Sequence, residues 1–499
     1  MKGLKILFVA SEVEGFAKTG GLADVARALP EALQALGHDV MVVMPDYPQM
    51  RDRGEREMVL ANEKLTAPGA MDVDYQVACL RDGEFAVHAI ECGRYFDRQG
   101  YYGEQHQGYQ DNGERFAFFC AAALDCAKKL NFQADVVHCN DWHTGLIPFL
   151  LKTRYAQDPM LSKAISVLTI HNAVYQGVYG CEQLALLPEL QQTRHVGLES
   201  GFGRINFLKV GVSFADKINA VSPNYANELL TELGSHGMAQ TFYARRHDFQ
   251  GILNGCDTSS WNPEIDPHLP QSYRANKTSL ARGKKAAKKA LQQQLGLAEN
   301  NAPLYGMVCR LTEQKGIQLL LPILSTFLTH QVQMVIVGTG DPLLSSALAE
   351  LAAAHPEKLV FIDAYDNALA HLVEAASDFF VMPSIYEPCG LNQIYSMAYG
   401  TVPIVRQVGG LADTVTDFHA EPLAATGFTF ADPTPVALLI TLQRSLLVYC
   451  QDQTGFKEMQ LRGMQQDHRW EQAAATYVQL YFAAKKRQSH RAKRLKGAA

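Results

Sequence analysis

The sequence predicts an α/β protein built from two parallel-sheet lobes, and three observations carry that prediction. Short apolar runs rich in Val, Ile and Phe alternate along most of the chain with segments whose apolar residues fall at helical spacing, the pattern of strand–helix–strand units. The alternation halts over DTSSWNPEIDPHLPQSY (257–273), a stretch rich in Pro, Asp and Ser that reads as the connection between lobes, and then restarts. The pentapeptide GGLAD stands at 20–24 and again at 409–413, each time after an apolar strand and before an amphipathic segment. Coincidence of two Gly-Gly turns remains an alternative to internal likeness, but two lobes lining one cleft would explain both copies.

In chain order, KILFVA (5–10) reads as a strand. LADVARALPEALQALG (22–37) reads as a helix, with Leu22, Val25, Ala26, Leu29, Leu33 and Leu36 on one face, and HDVMVVMP (38–45) as the next strand. CLRDGEFAVHAIE (79–91) alternates around Asp-Gly and predicts a hairpin. A helix over 114–130, strands over 134–141, 164–172 and 217–222, a helix after Pro223 and a strand over GILNG (251–255) complete the first half. KTSLARGKKAAKKALQQQLG (277–296) is a basic helix whose charges read as a solvated face. Apolar runs at 304–310, 333–338, 358–363, 378–382 and 402–405 predict a second parallel sheet. A final helix near 470–484 carries Trp470, Tyr477 and Tyr481 on one packing face. The expected division is therefore 1–252, 253–469, a helix over 470–486 packing back on the first lobe, and a basic disordered tail over 487–499.

Composition narrows the classes of function. The 499 residues suffice for two large α/β domains. With 45 basic and 51 acidic residues the net charge is −6, which argues against nucleic acid as the main partner. The ten cysteines are scattered and form no CxxC pair, as expected of reduced thiols in a cytoplasmic protein. The N-terminus runs straight into a strand without a secretory pattern, and no apolar run is long enough to span a membrane.

Chemistry-bearing residues gather at predicted strand ends, where ligands of parallel sheets bind. SEVEGFAKTGG ends with Lys18 beside Gly20 and Gly21, letting a backbone approach a ligand closely next to an ammonium; it matches neither a Walker loop nor GxGxxG. RLTEQKG places Arg310 and Lys315 on the turn before a helix, a fit for a diphosphate, with a plain surface turn as the alternative. In YEPCGLNQIYSMAYGTVPIVRQVGGLAD (386–413), Glu387 and Cys389-Gly390 open one helix and Gly409-Gly410 the next, so backbone N–H groups and helix N-termini are expected to converge as for phosphate. HCNDWH and IHN supply Asp141, His143, His171 and Asn172, but no metal-ligand spacing is present and no metal site is expected. Tyr101, Tyr102, Trp142 and Asn254 fit a carbohydrate, which offers hydroxyls to hydrogen-bond and C–H faces to stack; core packing is the alternative for each aromatic.

The motifs KTGGLADV, YFDRQGYYG, DNGERFAFF, NDWH, IHNAVYQG, ILNGCD, RLTEQKG, VGTGDP, YDNALAHLVEAASDFFVMPSIYEPCGLNQ and VGGLADTV stand in one order across residues 3–482. That series resembles the bacterial glycogen and plant starch synthases. The resemblance implies a GT-B architecture, two Rossmann-like domains facing across a deep cleft, and a retaining glucosyltransferase that moves glucose from ADP-glucose to an α-1,4-glucan. No cofactor, metal, nucleic acid or membrane partner is implied, and monomer and homo-oligomer are both open. Carried over by position, Lys18, Gly20, Gly21 and Asp24 would reach the donor, and His171, Asn172 and Asn254 would hold glucose hydroxyls. Asp141, Tyr102 and Trp142 would lie near the sugar and the glucan end. Arg310 and Lys315 would neutralise the departing diphosphate. Glu387 with the Cys389-Gly390 backbone would hold the donor sugar, and Leu391, Gly409 and Gly410 would bind substrate. Tyr365 would pack on the base, and Tyr395 stands where related transferases place a ribose-binding Glu. Asn392 departs from the usual Thr of CGLTQ, and the basic tail has no counterpart. A UDP-glucose donor, another acceptor, a silent sugar or nucleotide sensor and, more weakly, a hydrolase are the rival readings.

Overall fold

The computed structural model describes residues 3–67, 71–104, 107–192 and 203–497. The chain divides into unit 1, residues 1–255 with 470–499, and unit 2, residues 256–469.

In unit 1, nine strands pair in the order Phe249–Gly251, Lys217–Ala220, Ile165–Ile170, Val136–Asn140, Lys5–Val9, Asp39–Pro45, Phe85–Glu91, Val73–Asp82 and Glu55–Leu65. The first seven are parallel and the last two are added antiparallel. The parallel strands are apolar throughout because helices cover both faces of such a sheet. The hairpin over 79–91 forms, with Asp82 facing Phe85 across the turn. Strand order reverses between Lys5–Val9 and Val136–Asn140, and a sheet of this kind binds its ligand beyond the carboxyl ends of those two strands.

The helix starting at Trp470 returns to complete this sheet. Tyr477 and Tyr481 are wholly buried, and a directional chain of hydrogen bonds fixes them. Tyr481 donates to His138 Nδ1 at 2.6 Å, His138 Nε2 to Thr169 Oγ1 at 2.6 Å, Thr169 to Asn219 Oδ1 at 2.7 Å, and Asn219 Nδ2 to the Tyr477 oxygen at 3.0 Å. The expectation of disorder over 487–499 is corrected: the helix spans Trp470–Gly497. Residues 487–496 hold Ala, Leu, Lys and Arg in number and neither Gly nor Pro, so intrinsic propensity carries the helix on; residues 498–499 lie outside those described. GILNG also moves: the strand is Phe249–Gly251, leaving Asn254 in the loop beyond it.

In unit 2 the order is Leu359–Ile362, Gln333–Val337, Leu304–Val308, Phe379–Met382, Val402–Arg406 and Phe428–Phe430, all parallel. Its reversal falls between Leu304–Val308 and Phe379–Met382. Residues 257–273 are not a free connection, because their apolar and acidic side chains anchor them to this unit. Trp261 stacks on His371 at 3.8 Å, Asp266 accepts from Tyr399 at 2.5 Å and His371 Nδ1 at 2.8 Å, and Tyr273 donates to the Tyr399 carbonyl. The basic helix Lys277–Leu295 is not wholly solvated either. Lys284 is buried, donating to the Ser377 carbonyl and Thr401 Oγ1, and Lys288 pairs with Asp378 at 2.7 Å.

Candidate active site

At the switch point of unit 1, Val136–Asn140 ends in Asp141, whose φ of 54° and ψ of −170° lie in a region otherwise left to glycine. The strain is held because Asp141 Oδ1 accepts the backbone N–H of His171 at 2.7 Å and of Asn172 at 3.3 Å, lashing two neighbouring strand ends together. Burial pushes this carboxyl up to about 7, against the pull of those two N–H groups. Asn140 donates its Nδ2 to the Val9 carbonyl at 3.0 Å, which fixes its amide so that Oδ1 accepts from His171 Nε2 at 2.9 Å. With that proton committed, and burial holding the imidazole down at about 3, His171 is neutral and its Nδ1 is an acceptor suited to a hydroxyl. Asn254 Oδ1 is buried without a partner among the described residues.

The preceding loop supplies Lys18, which pairs with Glu14 at 2.6 Å and Asp24 at 2.8 Å. Burial would lower this ammonium, but the carboxylates of Asp24 and Glu14 prevail and leave it above its usual value. A Cβ at Gly20 or Gly21 would meet nothing, so open space adjoins the pair. Tyr102 donates to Glu12 Oε1 at 2.6 Å and lies 2.9 Å from Ser11 Oγ. Trp142 is 6% exposed and packs among His143, Phe116, Tyr179 and Phe207, so it is a core ring beneath Asp141 and not a displayed platform. Here the sugar-stacking expectation gives way to packing. Sequence reasoning missed Glu12 and Asn140. Both stand at or just beyond an apolar strand terminus, which was the available signal.

At the switch point of unit 2, Lys315 Nζ donates to Glu387 Oε2 at 2.5 Å, and Ser384 Oγ donates to the same oxygen at 3.0 Å. Glu387 is 6% exposed, so its charge depends on these donors. Further ties bind the two strand ends: Ile385 N–H to the Gln314 carbonyl at 2.8 Å and Gln314 Nε2 to the Tyr386 carbonyl at 3.3 Å. Arg310 is exposed at the end of its strand and makes no ion pair among the described residues. Gly390 turns the chain at φ +72°, and Leu391 caps the short helix Asn392–Ala398. Asn392 Nδ2 donates to the Val308 carbonyl at 2.8 Å, so the departure from Thr ties this helix to the neighbouring strand end.

The second GGLAD differs from its expected role. The Gly410 N–H already donates to the carbonyls of Glu387 and Pro388, at 3.1 and 3.2 Å, so it is not offered to a phosphate. A Cβ on Gly409 would come within 1.9 Å of the Glu387 carbonyl oxygen, and one on Gly410 within 2.1 Å of that of Cys389. These glycines brace the Glu387 turn by close backbone contact. Tyr365 is 72% exposed, while the Tyr395 ring stacks at 4.0 Å on Trp261. Among the described residues, no cluster of His, Cys, Asp and Glu could hold a metal, and no helix is long and apolar enough to cross a membrane.

Each unit is a doubly wound parallel sheet with its polar groups gathered at the switch point, the place where such sheets bind ligands. The family profile "Starch synthase catalytic domain" matches residues 5–244 and "Glycosyl transferases group 1" matches residues 288–446. The chain is 56% identical over 479 residues to the glycogen synthase of Photobacterium profundum, covering 96% of this chain and 94% of that one. It is 55% identical to that of Vibrio parahaemolyticus, covering 96% and 99%. The catalytic domain of starch synthase IV from Arabidopsis thaliana, solved bound to ADP and acarbose, superposes with a TM-score of 0.88 at 32% identity, covering 97% of this chain and 100% of that one. The chain belongs to the glycogen and starch synthase family.

Proposed function

We propose that this chain transfers glucose from ADP-glucose to the non-reducing 4-hydroxyl of an α-1,4-glucan with retention of configuration, as a cytoplasmic enzyme of glycogen synthesis. The observation that carries the reading is the Lys315–Glu387 pair at the switch point of unit 2, and the neutral His171 and strained Asp141 within unit 1 agree with it. Breaking the C1–O bond leaves positive charge on the sugar and negative charge on the diphosphate. Lys315 and Arg310 stabilise the leaving diphosphate as charge develops on it. Glu387 holds Lys315 in place and offers its carboxylate to the cationic sugar. His171 Nδ1, Asn172 and the Asn254 amide oxygen take the glucose hydroxyls. Lys18 and Asp24 meet the donor beside the open Gly20-Gly21 turn, and the displayed Tyr365 ring packs on the base. The diphosphate oxygen accepts the acceptor's proton on the same face, which accounts for retention without a second carboxylate.

The test is incorporation of labelled glucose into glycogen by the purified chain, with ADP-glucose and UDP-glucose compared side by side without added metal. Faster labelling from ADP-glucose supports the proposal. Preference for UDP-glucose would replace the donor, and binding without polymer from either donor would point to another acceptor or to a sensor.

A further inference from the structure

Four lysines of the helix Lys277–Leu295 line a cavity of about 230 Å³ at the opposite edge of unit 2 from the Lys315–Glu387 pair. Ser377 and Asp378 precede the strand Phe379–Met382, and Thr401 precedes Val402–Arg406, so the cavity lies at the amino ends of strands whose carboxyl ends lead to Glu387 and Gly409. Strands of this length separate the two edges by about 15 Å. Lys277, Lys284, Lys285 and Lys288 recur on one helical face, and Lys457 joins them from the helix Gln453–Met464.

Against these five lysines the lining has one carboxylate, Asp378, which is already held by Lys288 at 2.7 Å and by the Leu304 N–H at 2.8 Å. Exposed Lys277, Lys285 and Lys457 make no ion pair among the described residues. At the floor, Lys284 spends two of its three donors on Ser377 and Thr401, while burial pulls it down to about 7 against the attraction of Asp378 and Glu374 and with the repulsion of Lys288. Clustered ammonium groups with one already-paired carboxylate leave a surplus of positive charge in a concave, partly desolvated space, which favours a compact dianion. At about 30 Å³ per water-sized group, the cavity has room for a phosphate carrying a small organic body.

We propose that this cavity is a second anion site that takes the phosphate group of a small phosphorylated metabolite or free inorganic phosphate, apart from the donor site.

The experiment titrates the full chain with inorganic phosphate and, separately, glucose 1-phosphate, by calorimetry at constant ionic strength set with chloride. It is run with saturating ADP and repeated on Lys315→Ala, so the donor site cannot account for the signal. Expected is saturable binding that survives both conditions and weakens at least about tenfold in Lys285→Glu/Lys457→Glu, a pair of exposed substitutions that leaves the anion-free labelling rate unchanged. Tighter binding of glucose 1-phosphate would assign the site to phosphorylated sugars, and equal binding to the phosphate alone; both support it. No saturable binding above the chloride control, displacement by ADP, or unchanged affinity in the double variant would overturn it.

Discussion

The switch points of units 1 and 2 occupy the same place in sheets of the same winding, yet their buried strand ends differ in charge, the ion pair of unit 1 lying on the half-exposed loop that carries Lys18. In unit 1 burial drives ionisable groups toward neutrality: His138 and His171 fall to about 3, His143 falls well below its usual value and Asp141 rises to about 7. In unit 2 a lysine and a glutamate face each other as an ion pair, and Arg310 on the same turn makes no ion pair among the described residues. A polyol is recognised by fixed neutral donors and acceptors, and a diphosphate by charge. The difference teaches that the strand ends, and not the winding of the sheet, choose the chemistry a switch point offers.

The sharpest way to break this comparison is to remove the charge from unit 2. Lys315→Ala or Glu387→Ala should lower kcat by about a thousandfold or more, measured where each variant is still folded, as expected for groups that act on developing charge; near-normal labelling would sink the assignment. On the neutral side the effect should be smaller and depend on shape more than charge. Asp141→Ala, which frees the His171 and Asn172 backbones, should cost about a hundredfold, and Asp141→Asn about tenfold or less. Equal losses would show that the carboxylate acts through its charge.

The paired glycines sharpen the contrast. Gly410→Ala forces a Cβ into the Cys389 carbonyl and should destabilise unit 2 by about 2–4 kcal/mol in chemical denaturation. Gly21→Ala enters open space at a helix start and should change stability by no more than about 1 kcal/mol. If it nonetheless raises the donor KM, the space is where the donor lies.

Acid should separate the units. Below its ordinary 6.5 an unfolded imidazole binds a proton that buried His138 and His171 refuse until about 3. The unfolded chain therefore holds more protons, and unit 1 loses up to about 1.4 kcal/mol per pH unit per histidine as pH falls through that window. Asp141 has the opposite sign: its folded form keeps a proton up to about 7, so its contribution is lost as pH rises from about 4 to 7. Asp141→Asn should therefore steepen the acid-side loss, read from denaturation midpoints of unit 1 between pH 4 and about 6.5. Smallest of all, exposed Tyr365→Ala should raise the donor KM a few-fold, about 1 kcal/mol, and leave stability alone.

The parallel strands were legible because strands buried on both faces are continuously apolar. Glu55–Leu65 was not, since EREMVLANEKL lies at the edge of the sheet with mostly exposed or half-exposed residues and shows no clear period. At the candidate site, Lys315 and Glu387 could be placed at strand ends from spacing alone. Their 2.5 Å contact joins residues 72 apart, and only the winding of the sheet brings them together. Glu12 and Asn140 escaped notice because a buried polar residue is marked by its partners, which local sequence does not show. Lys284 was misread for the same reason: one lysine of a basic helix looks like the next until Ser377 and Thr401 arrive beneath it.

The return of the last helix to unit 1 sets an order of events during synthesis. Unit 2 is continuous, residues 256–469, and can finish folding as soon as it leaves the ribosome. Unit 1 begins emerging before unit 2, yet His138 and Asn219 wait for Tyr481 and Tyr477, which follow unit 2 in the chain. The unit that begins first is therefore sealed after the second, and a nascent chain halted after residue 469 carries a finished second unit and a first one still open to proteolysis.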